Sequence, residues 1–238
     1  SPSSIRRRRC TRVRDPMFEW PLEAKYDREI PQERIYEHGR VNADLRSRFD
    51  CEIARITWAY KLASVTINLA EAPQAPEVQV VEVRVRGADI PVPVLAAIDR
   101  AIQTPVVFEV TRRLWGEDEV RMIAALKQLA PDPARARATR ISPYFATEWQ
   151  PTYVRRVPLP AASDLLGLYT GLVGSMVGAA ARPGEELAQT AVRFKAVEKL
   201  SREISSLERE LRGGCQVYRM ITLRKELREK RAQLRQQR

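Results

Sequence analysis

Apolar and polar residues change rhythm several times along the chain, and each rhythm predicts an element. Leu45, Phe49 and Ile53 recur every four positions between Asn42 and Ile53, the spacing of one helical face. From Ile56 the period falls to two. Ile56, Trp58, Tyr60 and Leu62 alternate with Thr57, Ala59 and Lys61, which predicts a strand with Lys61 on the face opposite the aromatics. Val65 to Leu69 reads as a second short β run, and the prolines of "EAPQAP" as a turn. In "EVQVVEVRVRG", Val78, Val80, Val83 and Val85 alternate with polar partners, the clearest strand pattern in the chain, with Glu82, Arg84 and Arg86 on its wetter face.

"DIPVPVLAAIDRAI" predicts a helix entered through proline, with Leu95, Ile98 and Ile102 on one side. "PVVFEV" predicts a central strand, being almost continuously apolar. "WGEDE" is a turn, and Val120 to Leu129 fits either helix or strand. "APDPARARATR" reads as loop and "ISPYFATEW" as a further strand. Strands, a helix and more strands in this order predict an α/β (α+β) domain with a mixed sheet and packed helices.

Residues 165–181 are 17 uncharged positions carrying Gly167, Gly171, Gly174 and Gly178. Their small-residue spacing suits helix packing in lipid, but the segment is at the lower limit for a span. Asp164 and Arg182 bracket it closely, and Tyr169, Thr170 and Ser175 reduce its hydrophobicity, so a helix buried against the sheet is expected.

Beyond it Val197, Leu200, Ile204, Leu207 and Leu211 step by three and four, an a/d seam. Gly213-Gly214 interrupts the seam, and Met220, Leu223, Leu227 and Leu234 resume it. Two arms of roughly 30 Å joined at 213–214 predict an antiparallel coiled-coil hairpin. The expected organisation is a basic arm or non-native extension at 1–16, an α/β domain at 17–184 and the hairpin at 185–238.

Charge sharpens this division. The net charge is +11, yet residues 1–14 contribute +6 and residues 216–238 another +6, leaving about −1 on the 201 residues between. The body as a whole is therefore not a basic nucleic-acid surface. The leading segment has no apolar core of a secretory signal. Cys10, Cys51 and Cys215 are scattered and odd in number, which argues against a disulfide framework or zinc site and for a reducing compartment, the cytoplasm.

Catalytic motifs are sparse. His38 has no partner at metal-ligand spacing, and no phosphate-binding glycine loop, dinucleotide fingerprint or nucleophile elbow is present. No metal or cofactor is expected. A metal-dependent nuclease needs carboxylates and a nearby lysine on a strand. Glu23-Ala24-Lys25 has that form but falls in a proline-flanked region read as non-strand, and Glu82-Val83-Arg84 replaces the lysine with arginine. Glu77, Glu82 and Lys61 are the remaining catalytic candidates, with a solvated sheet face as the simpler explanation.

The second hairpin arm offers Arg219, Arg224, Lys225, Arg228, Lys230, Arg231 and Arg235 (with Arg238) to phosphates or to a docked partner. Tyr218 is its one aromatic residue, which disfavours single-strand stacking.

The blocks "KYDREIPQERIYEH", "IARITWAYKLASVTINL", "PEVQVVEVRVRG", "IDRAIQTPVVFEV", "YFATEW" and "EKLSREISSLEREL" with "QVYRMITLRKELREKRAQL" resemble those of a bacterial family, domain of unknown function 4391, from about Phe18 to Leu234. Ile56, Trp58, Tyr60, Lys61, Leu62, Thr66, Ile67, Asn68 and Leu69 form the most specific block. The resemblance implies an accessory protein encoded beside a superfamily-2 helicase and a DNA methyltransferase in restriction-like phage-defence clusters, without established catalytic residues. Where the family usually carries Ile-Pro-Lys, this chain has Ile30-Pro31-Gln32, so no role of that lysine transfers. Lys61 and Asn68 stand out in the block because a core needs neither. The function expected is a non-catalytic scaffold subunit docking a helicase or methyltransferase through the hairpin, with a divergent nuclease subunit or a DNA-binding protein as alternatives.

Overall fold

The computed structural model describes residues 16–39, 41–129, 139–180, 182, 184–213 and 217–238. Most of the leading basic arm, most of the "APDPARARATR" loop, Gly214 and two of the cysteines, Cys10 and Cys215, lie outside the described residues.

Strand β1 (Lys25–Glu29) leads through helices α1 (Gln32–His38) and α2 (Ala43–Glu52) to β2 (Ile53–Leu62). Asn42 caps α2, its side chain accepting from the Leu45 N–H, a standard helix start. After the short helix α3 (Ser64–Ile67) come β3 (Val78–Val85), α4 (Val92–Ala101), β4 (Val106–Leu114) and β5 (Glu117–Ala124). Two-residue strands follow: β6 (Lys127–Gln128), β7 (Arg140–Ile141), β8 (Phe145–Ala146) and β9 (Gln150–Pro151). The chain closes with α5 (Leu165–Val177), α6 (Leu187–Arg212) and α7 (Val217–Gln237).

The main sheet has the order β1-β2-β3-β4-β5-β8, with β9 also on β5. Only β3 and β4 run parallel, joined through α4 as a parallel pair requires. Alternate residues of the central strands feed two cores. Val81, Val83, Phe108, Val110 and Ile123 pack with Phe49, Leu95 and Ile98 of α2 and α4. Val78, Val80, Val107, Met122 and Ala124 pack with Leu168, Leu172 and Val173 of α5 and with Phe194 of α6. The result is a mixed sheet between helical layers, the α/β class expected.

Four details differ from what the sequence predicts. Residues 65–67 are helical, not β: the Thr66 hydroxyl accepts the Ala63 N–H at 2.9 Å, and Asn68 ends the turn in a left-handed conformation at φ 52°. In β2 a bulge between Trp58 and Tyr60 breaks the alternation. Trp58 opposes Val81 and Tyr60 opposes Val80, so Ile56 and Leu62 enter different cores, and Lys61 shares the face of Trp58. "ISPYFATEW" is broken into two-residue strands, and the proline-flanked region read as non-strand contains an edge strand that Lys25 opens. Val120 to Leu129, which fits either helix or strand by sequence, holds the end of β5 and then β6.

The glycine-rich segment is α5, a buried helix, and no helix among the described residues is long and apolar enough to cross a membrane. Its glycines serve packing within the fold. A Cβ on Gly174 would lie 2.3 Å from the Ala179 carbonyl oxygen and 3.1 Å from Phe194, and Gly178 ends the helix at φ 66°.

Candidate functional site

The hairpin is rooted in the body rather than appended to it. Leu187, Phe194 and Val197 of α6 belong to the core under α5, and Phe194 meets Phe145 edge-on with ring centroids 6.1 Å apart. Arg193, almost fully buried, binds Glu185 through Nε and Nη2 and donates to the carbonyls of Ala180 and Gln237. These hydrogen bonds hold the Glu185 carboxyl below the usual carboxylate range. Arg182 donates to the Gln236 carbonyl at 2.9 Å. Two guanidinium groups thus cap the negative end of α7 against the body.

Above this root the seam closes on itself. Val197, Ile204, Leu223 and Leu227 are buried, and Leu200, Leu207, Leu211, Met220 and Leu234 are half-buried between the arms. Three ion pairs flank it: Arg219 with Glu210 at 2.9 Å, Lys230 with Glu203 at 2.7 Å and Arg231 with Glu208 at 2.8 Å. Three of the seven cationic candidates are therefore spent on the hairpin's own acids. The apolar seam is likewise occupied, which leaves the outer surface for any partner.

That outer surface is predominantly cationic. Arg224, Lys225, Arg228 and Arg235 are exposed and have no ion-pair partner among the described residues. At about 100° per residue they lie with the exposed Tyr218 and Ile221 within one face of about 120° on α7; Glu226 turns away from it, and the exposed Glu229 borders it beside Tyr218 and Lys225. Like charges three and four residues apart disfavour an isolated helix slightly. An anionic surface laid along this face would relieve that repulsion.

The catalytic candidates do not assemble. Lys61 pairs with Glu77 at 2.6 Å, Glu77 accepts from Gln79, and Gln79 accepts from the Trp58 indole, a chain that ties β2 to β3. Glu82 projects from the opposite face, in register with Glu109 of β4. Desolvation first, and the charge of Glu109 second, hold the Glu82 carboxyl above its ordinary range. Glu109 is buried with both oxygens engaged: Arg156 donates to them at 2.6 and 3.0 Å, and the Trp20 indole donates at 2.7 Å. This pair therefore does not present two free carboxylates to a divalent ion. Among the described residues no group of His, Cys, Asp and Glu could hold a metal. Asn68, the other residue singled out, acts as a left-handed helix terminator.

One cluster escaped the sequence reading. Lys127 is fully buried against Asp99, and Nζ also donates to the carbonyls of Asp99, Ile102 and Thr104 at 2.7, 2.9 and 2.9 Å. Tyr144 donates to the other Asp99 oxygen at 2.9 Å. Burial pushes the Lys127 ammonium down and Asp99 pushes it back up, while burial raises the Tyr144 phenol. Asp99 and Tyr144 line a cleft of about 940 Å³ that also borders His38 and Arg100. With every ammonium donor committed to the end of α4 and the loop that follows, Lys127 is a helix-terminating staple rather than a reactive amine. A lone lysine amid the apolar run of "AALKQL" was the available signal.

The family described as domain of unknown function (DUF4391) matches residues 18–234, nearly the whole chain, and the protein belongs to it. No curated protein and no solved structure matches it.

Proposed function

We propose that this chain is a non-catalytic accessory subunit of a bacterial DNA-targeting assembly of the phage-defence or restriction type. Its α/β body acts as scaffold, and the hairpin docks a helicase or DNA methyltransferase with its cationic side toward DNA. The kind of assembly and the partners rest on the family resemblance. The role of the hairpin rests on one observation: an arm rooted in the core, with its seam closed, turns Arg224, Lys225, Arg228 and Arg235 outward on one predominantly cationic face. A surface of this kind suits phosphates or an acidic protein face, and arginine binds either with two parallel hydrogen bonds.

The triple variant Arg224→Glu, Lys225→Glu, Arg228→Glu tests it, because these side chains are exposed and make no ion pair among the described residues. Affinity purification from nuclease-treated host cells, with bound proteins identified by mass spectrometry, is expected to recover a helicase or methyltransferase with the natural chain. The triple variant should recover at least about tenfold less, the loss of a few desolvated charge contacts, with an unchanged unfolding midpoint. Equal recovery by both chains contradicts the proposed role of this face.

A further inference from the structure

The geometry points to a second interaction site, independent of the hairpin: the tip of the β4–β5 turn is a docking anchor whose Trp115 enters an apolar pocket on a folded protein partner. Leu114 pairs with Glu117, so Trp115-Gly116 is the whole loop, with φ 53° and 88°. A two-residue turn with both central residues left-handed is the type I′ hairpin turn, which favours Asn-Gly or Asp-Gly. Gly116 fits. Trp115 does not, because a bulky side chain in the left-handed region crowds its own backbone.

The fold gains nothing visible in return. Trp115 is 94% exposed, and among the described residues no ring or guanidinium packs on it. The other three tryptophans are all engaged: Trp20 donates to Glu109, Trp58 donates to Gln79, and Trp149 lies beneath Arg112 and Arg121. Tyr153, 81% exposed, sits at the same end of the sheet, next to Thr152, whose N–H donates to the Asp118 carbonyl.

The charges around the tip select the class of partner. Arg113 and Glu117 are exposed, and Arg84 faces Asp118 at 4.0 Å, so both signs are interspersed. A nucleic acid would call for a cationic track beside the rings. A mixed polar rim around a protruding tryptophan is instead the composition of a protein–protein hot spot. Position adds to this. Phe145, which meets Phe194 at the hairpin root, pairs with Ala124 at the far end of β5, about 24 Å from the turn at a strand's rise per residue. The turn therefore lies at the opposite end of β5 from the hairpin root.

The test uses the full chain and two readouts. Trp115→Asn places a preferred residue in the turn and is expected to raise the unfolding midpoint by about 2–4 °C. For binding, a chain carrying p-benzoylphenylalanine at position 115 is cross-linked in its bacterial host, and the protein it captures is purified and titrated. Trp115→Asn should weaken that affinity about thirtyfold or more, the scale of a hot-spot tryptophan, and Trp115→Phe less than about tenfold. A lowered midpoint would show that the ring packs on its own chain. That result, absence of a cross-linked protein, cross-linking to nucleic acid instead, or equal affinity of the Asn variant would each overturn the inference.

Discussion

Replacing Lys127 with alanine is expected to destabilise the protein by about 3–5 kcal/mol, the cost of leaving a buried charge without its partner. The side chain is only 1% exposed and Asp99 only 3%, so the fold keeps both charges largely out of water. The loss has two parts. Asp99 would keep the Tyr144 hydroxyl but lose its counterion, and the carbonyls of Asp99, Ile102 and Thr104 would lose their shared donor. Because the penalty comes from the orphaned carboxylate, the double variant Lys127→Met, Asp99→Asn should recover part of it. Urea unfolding of the two variants measures this. A loss below about 1 kcal/mol for Lys127→Ala would mean that Asp99 finds water or a proton, and that the cluster is not a staple.

Phe194→Ala is expected to cost a similar amount, about 3–5 kcal/mol for a fully buried phenylalanine. Phe194 has no exposed surface, packs edge-on against Phe145 and fills the space that Gly174 leaves open. Its removal has a second consequence, because it sits where α6 leaves the body. The amides of residues 187–197 should lose hydrogen-exchange protection more than those of β3 and β4. Uniform loss across the chain would show that the hairpin root and the sheet unfold as one unit.

What the sequence made legible follows from how local each signal was. Strand β3 announces itself because its valines alternate with polar residues, and the hairpin because a seam stepping by three and four repeats across a glycine break. Phe194 even extends that seam, three residues before Val197, which marks the root as continuous with the arm. The failures were tertiary. Val65, Thr66 and Ile67 carry strand propensity, yet Thr66 caps a helical turn with its hydroxyl. The bulge at Ala59 reverses the faces of β2 without any sequence mark of its own. Charge counting found the cationic arm but could not divide it, since the pairing of Arg219, Lys230 and Arg231 with Glu210, Glu203 and Glu208 depends on how two helices meet. A glycine marked the turn at Trp115, whereas the exposure of that ring is a property of the folded surface.

Because Phe194 and Arg193 belong to the body, removing the entire hairpin would confuse loss of an arm with loss of the fold. The decisive comparison therefore keeps the root. A chain lacking residues 205–227, its shortened arms rejoined by a glycine-rich turn, retains Leu187, Phe194, Val197 and the caps on the end of α7. It should unfold cooperatively like the full chain yet recover no helicase or methyltransferase from nuclease-treated host lysate, while the full chain does. Equal recovery by the shortened chain would contradict the account and move the docking surface onto the α/β body.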